Sequence, residues 1–218
     1  MKKNFVCVFA HPDDEAFGPG GTIAQLAKTH NVYILCATKG QAQKSTKKEG
    51  DELGKIRSEE LLRSAKILGV KKVYFLGFRD GTLCNNFYHK LTAKIQEKLE
   101  KYKPESIMTF EPRGISGHID HITVSMATSF VFKKSPFVKK LLYYCILEKY
   151  SKLREEYFIY FPPGYQESDI DEVIDTKDVW ETKVRAMQQH QSQIGDVKRI
   201  LKIQSKFPKK EYFTMLTK

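Results

Sequence analysis

The stretch "NFVCVFAHPDDEAFGPGGTIAQLAKTHNVYILCA", residues 4–37, sets the architecture of this chain. Residues 5–10 are a continuous apolar run, and 31–37, apolar from Val32 onward, read as a second buried strand. Neither alternates, so each reads as a strand covered on both faces, the pattern of a parallel sheet. Between them Gly18, Gly20 and Gly21 open a turn, and "TIAQLAKT" (22–29) reads as a short helix. Strand, turn, helix and strand make one βαβ unit. Its first turn carries His11, Pro12 and three consecutive acids, Asp13, Asp14 and Glu15. Three adjacent carboxylates repel one another, and they follow directly on a buried strand.

The alternation continues. Leu61, Leu62, Ala65 and Leu68 place a helix over 55–68, ended by Gly69. "KKVYFLGF" (71–78) reads as a strand, 86–102 as an amphipathic helix stopped before Pro104, and "SIMTF" (106–110) as a strand. Residues 119–132 read as a helix and 140–147 as a fifth strand. Most of 38–55 is polar and reads as a long loop, a common place for function. Further on, "EYFIYFPPGY" (156–165) reads as extended and "IDEVID" (170–175) as a short strand. A helix is expected over about 177–192, capped by Asp175 or Thr176. The expected fold class is α/β: a Rossmann-like, doubly wound, mostly parallel sheet with helices on both faces, in one domain over 1–218.

The chain has 218 residues and a formal net charge of +11. A basic chain invites a nucleic-acid reading, but the lysines are scattered and form no dense block with interleaved aromatics. A solvated lysine surface is the simpler expectation. "GPGGT" lacks the G-x-G-x-x-G spacing, and the acids before it would repel a pyrophosphate. No run of about 18 apolar residues exists, so no membrane span is expected. The apolar segment after Met-Lys-Lys-Asn is too short for a signal peptide. The four cysteines form no C-x-x-C pair, and Cys7, Cys36 and Cys145 sit in apolar runs. They read as buried thiols of a cytoplasmic protein.

In open α/β sheets ligands sit beyond the carboxyl ends of the strands. "HPDDE" follows the first strand and "EPRGISGHIDH" (111–121) the fourth, so both fall on one rim of a parallel sheet. Together they bring His11, His118 and His121 near several carboxylates. Imidazole with carboxylate suits a divalent metal such as zinc, iron or manganese. His118 and His121, three apart on one helical turn, share a face, so one can bind metal while the other faces a substrate. A metal hydrolase needs one carboxylate on the ion and another to take a proton from water. Adjacent Asp13 and Asp14 can divide those roles if the loop is extended. The competing reading of "HPDDE" is a helix N-terminus with acids at the positive end of the dipole.

"AHPDDE" (10–15) with "GHIDH" (117–121) resembles the LmbE-like, or PIG-L-type, zinc-dependent N-acetylglucosaminyl deacetylases. "GPGGTIAQLA" (18–27), "IRSEELLRSAKILGV" (56–70), "FLGFRDGTL" (75–83) and "KVRAMQQHQSQ" (183–193) extend the resemblance over about 3–195 and leave the C-terminal tail outside it. The resemblance implies removal of an N-acetyl group from an N-acetylglucosamine-type sugar or glycoconjugate. It implies Zn2+, or another divalent ion such as Fe2+, on His11, Asp14 and His121, with Asp13 as the general base acting on water. It places His118 near the substrate carbonyl, Asp120 behind a neighbouring histidine, and Arg57 and Asp80 against the sugar. His190 is expected to close the site from the C-terminal side. Gln41, in "TKGQAQ", stands where relatives often carry Glu, which removes an acid from the mouth of the site and leaves the substrate open. A small N-acetylated sugar is the expected partner and a homo-oligomer a possible state. The rival functions are phosphoester hydrolysis at the same metal, with two ions bridged by a carboxylate, and a basic nucleotide- or nucleic-acid-binding module.

Overall fold

A computed structural model describes residues 2–42, 49–151 and 160–218. In chain order its elements are β1 (Lys3–Phe9), α1 (Asp14–Phe17), α2 (Gly20–Thr29), β2 (His30–Cys36), α3 (Gly50–Ile67), β3 (Lys72–Phe75), α4 (Tyr88–Tyr102) and β4 (Ser106–Phe110). There follow α5 (Gly114–Gly117), α6 (Ile119–Lys134), β5 (Lys140–Cys145), α7 (Glu148–Ser151), β6 (Glu172–Asp175), α8 (Trp180–Met187), α9 (Ile194–Gln204) and β7 (Lys210–Thr217).

The sheet order is β3-β2-β1-β4-β5-β7-β6. The first five strands in that order are mutually parallel. β7 runs antiparallel to both β5 and β6. Period-two alternation divides the interior into two layers. Phe5, Cys7 and Phe9 of β1 face α2, α3, α8 and α9 through Ile23, Leu61, Met187 and Ile200. Val6, Val8 and Ala10 face α4 and α6 through Leu91, Ile95, Val124 and Val131. A strand buried on both faces excludes polar residues at alternate positions, which is why β1 is apolar from Phe5 onward and β2 from Val32 onward.

The doubly wound α/β reading therefore holds, with shifts at element ends. α3 starts at Gly50, ahead of the expected 55. The helix expected over 177–192 is interrupted: a 3₁₀ turn (Lys177–Val179) leads into α8, which stops at Met187, and a second turn spans Gln191–Gln193. Asp175 Oδ1 accepts the N–H of Lys177, whereas the Thr176 hydroxyl donates to Lys209 O. β6 matches the strand expected at 170–175. Of the extended segment expected at 156–165, residues 156–159 lie outside the described residues. Tyr165 makes a single bridge to Leu147. α9 and β7 were not anticipated. No helix among the described residues is long and apolar enough to cross a membrane.

Strand order reverses between β1 and β4, whose outward neighbours are β2 and β5. That reversal leaves a crevice at the carboxyl ends of β1 and β4, where open α/β sheets bind ligands.

Candidate active site

His11 lies two residues beyond β1 and is 7% exposed. Its Nε2 lies 2.9 Å from Asp80 Oδ1 and 3.2 Å from Asp120 Oδ2. These carboxylates accept, so the ring carries a proton on Nε2 and its Nδ1 is left for the cavity. His121, in the first turn of α6, turns Nδ1 to Gly114 O at 3.1 Å, which puts its proton there. Its Nε2 then faces His11 Nδ1 at 3.0 Å. Asp14 completes the group, with Oδ1 3.3 Å from His121 Nε2 and Oδ2 3.9 Å from His11 Nδ1. Asp14 is itself fixed, since Oδ2 accepts the N–H groups of Ala10 (3.0 Å) and His11 (2.9 Å).

Two imidazole lone pairs aimed at each other across 3.0 Å need a cation between them. A carboxylate beside them adds the charge that a dication would match. These residues fit a divalent metal, with both histidines oriented by acceptors behind them. Without a metal the electrostatics show the same demand. Burial opposes charge on His11, but the hydrogen bonds to Asp120 and Asp80 outweigh it and push its pKa up to about 10. Burial also opposes ionisation of Asp14, yet His121 and His11 hold it well below the usual carboxylate range. A second acidic group, Asp80 with Asp120, meets His11 only through Nε2. Asp80 Oδ2 also accepts the Ala42 N–H, and Asp120 accepts the N–H groups of Gly81 and Leu83. These bonds make the pair the rear support of His11.

Asp13 is not in an extended loop. It adopts φ 106°, ψ −28°, a left-handed conformation that is uncommon for a residue with a Cβ, and α1 begins immediately after it. The carboxylate is held from behind, with Oδ2 2.9 Å from Arg57 Nη2. Burial raises the Asp13 pKa, the Arg57 guanidinium works against this, and the balance lies at about 7.

His118 caps α6: its Nδ1 accepts the Asp120 N–H at 3.2 Å. In the neutral ring the proton therefore sits on Nε2. Burial, then His11 and His121, bring its pKa down to about 4, so the ring is a neutral donor at neutral pH. The loop before it is shaped by Glu111, which is 2% exposed and accepts the N–H groups of Arg113 and Ile115.

These groups border a cavity of about 370 Å³. One wall is polar: His11, Asp13, Asp14, Arg57, Asp80, Ser116, His118 and His121. The other is apolar, built from Phe17, Phe110, Ile115, Tyr144, Phe161 and Ile200. Asp196 and Arg199 of α9, paired at 3.0 Å, stand on the same boundary.

Three residues expected near the substrate have inward partners. Arg57 is 3% exposed and spends its fork inward, on Asp13 Oδ2, Pro12 O (2.7 Å) and Gly40 O (2.8 Å). Asp80 borders the cavity and also holds His11 with Oδ1. His190 is fully buried, is absent from the cavity wall and pairs with Glu15. In each case spacing along the chain says nothing about which way a buried polar side chain turns. Gln41 accepts from the Lys39 N–H and lies in a separate surface groove with Asp51 and Lys55, away from the cavity. Gln43 lies outside the described residues. Sequence reasoning missed Glu60 and Ser64. They recur with Arg57 on one helical face (57, 60, 64), and all three are buried, a spacing that was readable.

Fold and site together define a class: an α/β protein with a histidine–carboxylate cluster at the switch point of its sheet, the donor chemistry of a divalent-metal hydrolase. The profile of the PIG-L family, described as GlcNAc-PI de-N-acetylase, matches residues 6–132, and the chain belongs to that family. A diacetylchitobiose deacetylase from Thermococcus kodakarensis is 31% identical over 205 residues, covering 89% of this chain and 71% of the relative. Among solved structures, the N,N'-diacetylchitobiose deacetylase of Pyrococcus horikoshii superposes with a TM-score of 0.74 at 22% identity, over 99% of this chain and 84% of the other. The 4-carboxy-2-hydroxymuconate hydratase GalB of Pseudomonas putida KT2440 superposes equally well, with a TM-score of 0.75 at 16% identity over 99% and 97%. The architecture therefore carries more than one chemistry, and the site must decide.

Proposed function

We propose that this chain, by family an N-deacetylase of N-acetylglucosamine-type sugars, hydrolyses the acetamide at one divalent ion held by His11, Asp14 and His121, with Asp13 as general base. The observation that carries this reading is the pair of imidazole nitrogens, His11 Nδ1 and His121 Nε2, facing each other at 3.0 Å beside Asp14. A zinc ion bound there supplies Lewis acidity, which polarises the acetyl carbonyl and lowers the pKa of water toward about 7. Fe2+ suits the same donors.

The chain's own groups divide the remaining work. Asp13, with a pKa near 7, takes a proton from the attacking water at neutral pH. Arg57 holds that carboxylate in place. His118 presents its Nε2–H to the carbonyl oxygen as negative charge grows on it. The carbon–nitrogen bond then breaks. The nitrogen leaves as an amine carrying the proton that Asp13 accepted, and acetic acid remains, which loses its own proton to the solvent or the amine to become acetate. Asp80 and Asp120 act through His11, not on substrate.

A single ion favours amide over phosphoester hydrolysis. Among the described residues, Asp80 and Asp120 engage His11 through Nε2 and accept the N–H groups of Ala42, Gly81 and Leu83, which supports reading them as holders of the histidine and not as ligands of a bridged second ion. The substrate class extends to small N-acetylated glycosides such as diacetylchitobiose, and a cytoplasmic location accords with the free thiols of Cys7, Cys36 and Cys145 in the interior. The test is acetate release from a panel of N-acetylated glycosides, with and without chelator, alongside metal analysis. Asp13→Asn keeps the ion and loses turnover, whereas His121→Ala loses both. Full metal content in His121→Ala would overturn the ligand assignment.

A further inference from the structure

We infer that His190 is a positioning residue for Asp13, acting through the carboxylate of Glu15; the inference rests on the reading of Asp13 as the general base. Asp13 holds a backbone conformation that side-chain-bearing residues rarely adopt (φ 106°). Something must hold it there. Arg57 grips its carboxylate, and Glu15 Oε2 accepts its backbone N–H at 3.0 Å. Glu15 is 1% exposed, and a buried carboxylate keeps one orientation only with donors around it. Its other oxygen, Oε1, has two: Ser64 Oγ at 2.5 Å and His190 Nε2 at 2.8 Å.

His190 is committed to this one acid. The ring is fully buried, and its Nδ1 has no hydrogen-bond partner among the described residues. A histidine kept only to fill space would be better replaced by an apolar side chain, because the orphaned nitrogen is costly. Burial opposes charge on the ring, but Glu15 outweighs it and raises the pKa, which strengthens the bond to the carboxylate. The turn that bears His190 is pinned in turn. Ser192 donates its N–H and Oγ–H to the Glu60 carboxylate at 2.8 and 2.6 Å. Arg57, Glu60 and Ser64 lie on one face of α3, so a single helix reaches Asp13, the 190–193 turn and Glu15.

The metal ligands are held by different bonds. Asp14 is fixed by the amides of Ala10 and His11, and the two histidines by Asp80, Asp120 and Gly114. Loss of the His190 bond therefore misplaces the base without unmaking the metal site.

The experiment compares His190→Gln, whose amide nitrogen can replace Nε2 as donor, with His190→Leu, which fills similar volume and cannot donate. Each is assayed for kcat, KM, bound zinc and melting temperature on an N-acetylated glycoside. The expected result for His190→Leu is a kcat reduced by about 10–100-fold, less than loss of the base itself, with KM and zinc content unchanged. His190→Gln recovers to within about threefold of the parent, as a retained hydrogen bond would allow. Parental kcat in His190→Leu, or equal loss in both variants, overturns the proposal. If the leucine variant does not fold, Ser64→Ala decides, because it removes the other donor to the same oxygen. A several-fold lower kcat at constant KM supports the role, and an unchanged kcat overturns it. Asp13→Asn, run in parallel, separates the two readings: turnover retained there removes the base assignment whatever His190 does.

Discussion

His11 Nε2 sits 2.9 Å from Asp80 Oδ1 and 3.2 Å from Asp120 Oδ2, and this fixes the other nitrogen of the ring toward His121. Orientation by such acceptors is worth about 10–100-fold in metal affinity. Asp80→Ala is therefore expected to weaken zinc binding by that order, measured by competition with a chromophoric chelator, although Asp80 never touches the ion. Metal-free His11 holds its extra proton up to about pH 10, so binding must expel one at neutral pH. Calorimetry in buffers of different ionisation enthalpy should show release of about one proton per ion, and affinity falling as pH is lowered. Affinity independent of pH between 6 and 8, or unchanged in Asp80→Ala, would rule out this arrangement.

Asp13 and Arg57 set the acid limb of the pH profile. A base whose pKa lies near 7 is lost as pH falls through that value, so kcat should decline below it. The guanidinium lowers that pKa, so Arg57→Gln moves the limb to higher pH, by on the order of one unit. Stability has its own sign. The folded pKa lies above the unfolded value, so this group's favourable contribution is complete below about pH 4 and disappears as pH rises through 7. In metal-free protein Asp13→Asn should thus raise the melting temperature relative to the parent more at pH 8 than at pH 4. An equal difference at both would show that Asp13 is not buried as described.

Lys183 and Glu211 form a buried pair at 2.7 Å, each 2% exposed. Glu211 also accepts the N–H groups of Gly21 and Thr22 at the start of α2, and Lys183 donates to Gly18 O at the cavity edge. Lys183→Met would leave a carboxylate buried without its cation, at a cost of about 3–5 kcal/mol. Urea denaturation of the chelated protein measures this. A loss below about 1 kcal/mol, the range of an exposed pair, would contradict the packing of α8 and β7 against α2.

What was legible in the sequence follows from burial. β1 and β2 are apolar on both faces because helices cover both, and that pattern alone placed "HPDDE" and "GHIDH" on one rim. The convergence of His11, Asp14 and His121 follows from chain order. The direction of polar side chains does not. Arg57, Asp80 and His190 turn inward to Asp13, His11 and Glu15, because ionised groups so deeply buried must find partners before they can face a ligand. β7 went unread because its place depends on an antiparallel return beside β5, which no local period announces. α9 did leave a signal, with Ile194, Val197, Ile200 and Leu201 recurring at helical spacing.

Gly40 gives the sharpest test of the Arg57 clamp. Its φ is +67°, its carbonyl accepts Arg57 Nη1 at 2.8 Å, and a Cβ at this position would fall on the guanidinium carbon. Gly40→Ala therefore combines backbone strain with displacement of Arg57. Gly50 supplies the control, since its φ is +62° and an added Cβ there meets nothing within 4 Å. Alanine at a positive φ costs roughly 1–2 kcal/mol in either place. If strain alone mattered, both variants would lose stability and keep kcat. If the clamp matters, Gly50→Ala keeps the parental pH–rate profile, while Gly40→Ala loses kcat and shifts its acid limb upward as Arg57→Gln does. Zinc content should stay at the parental level in both, because neither glycine supports a metal ligand. A Gly40→Ala profile that coincides with that of Gly50→Ala would remove Arg57 from the control of Asp13.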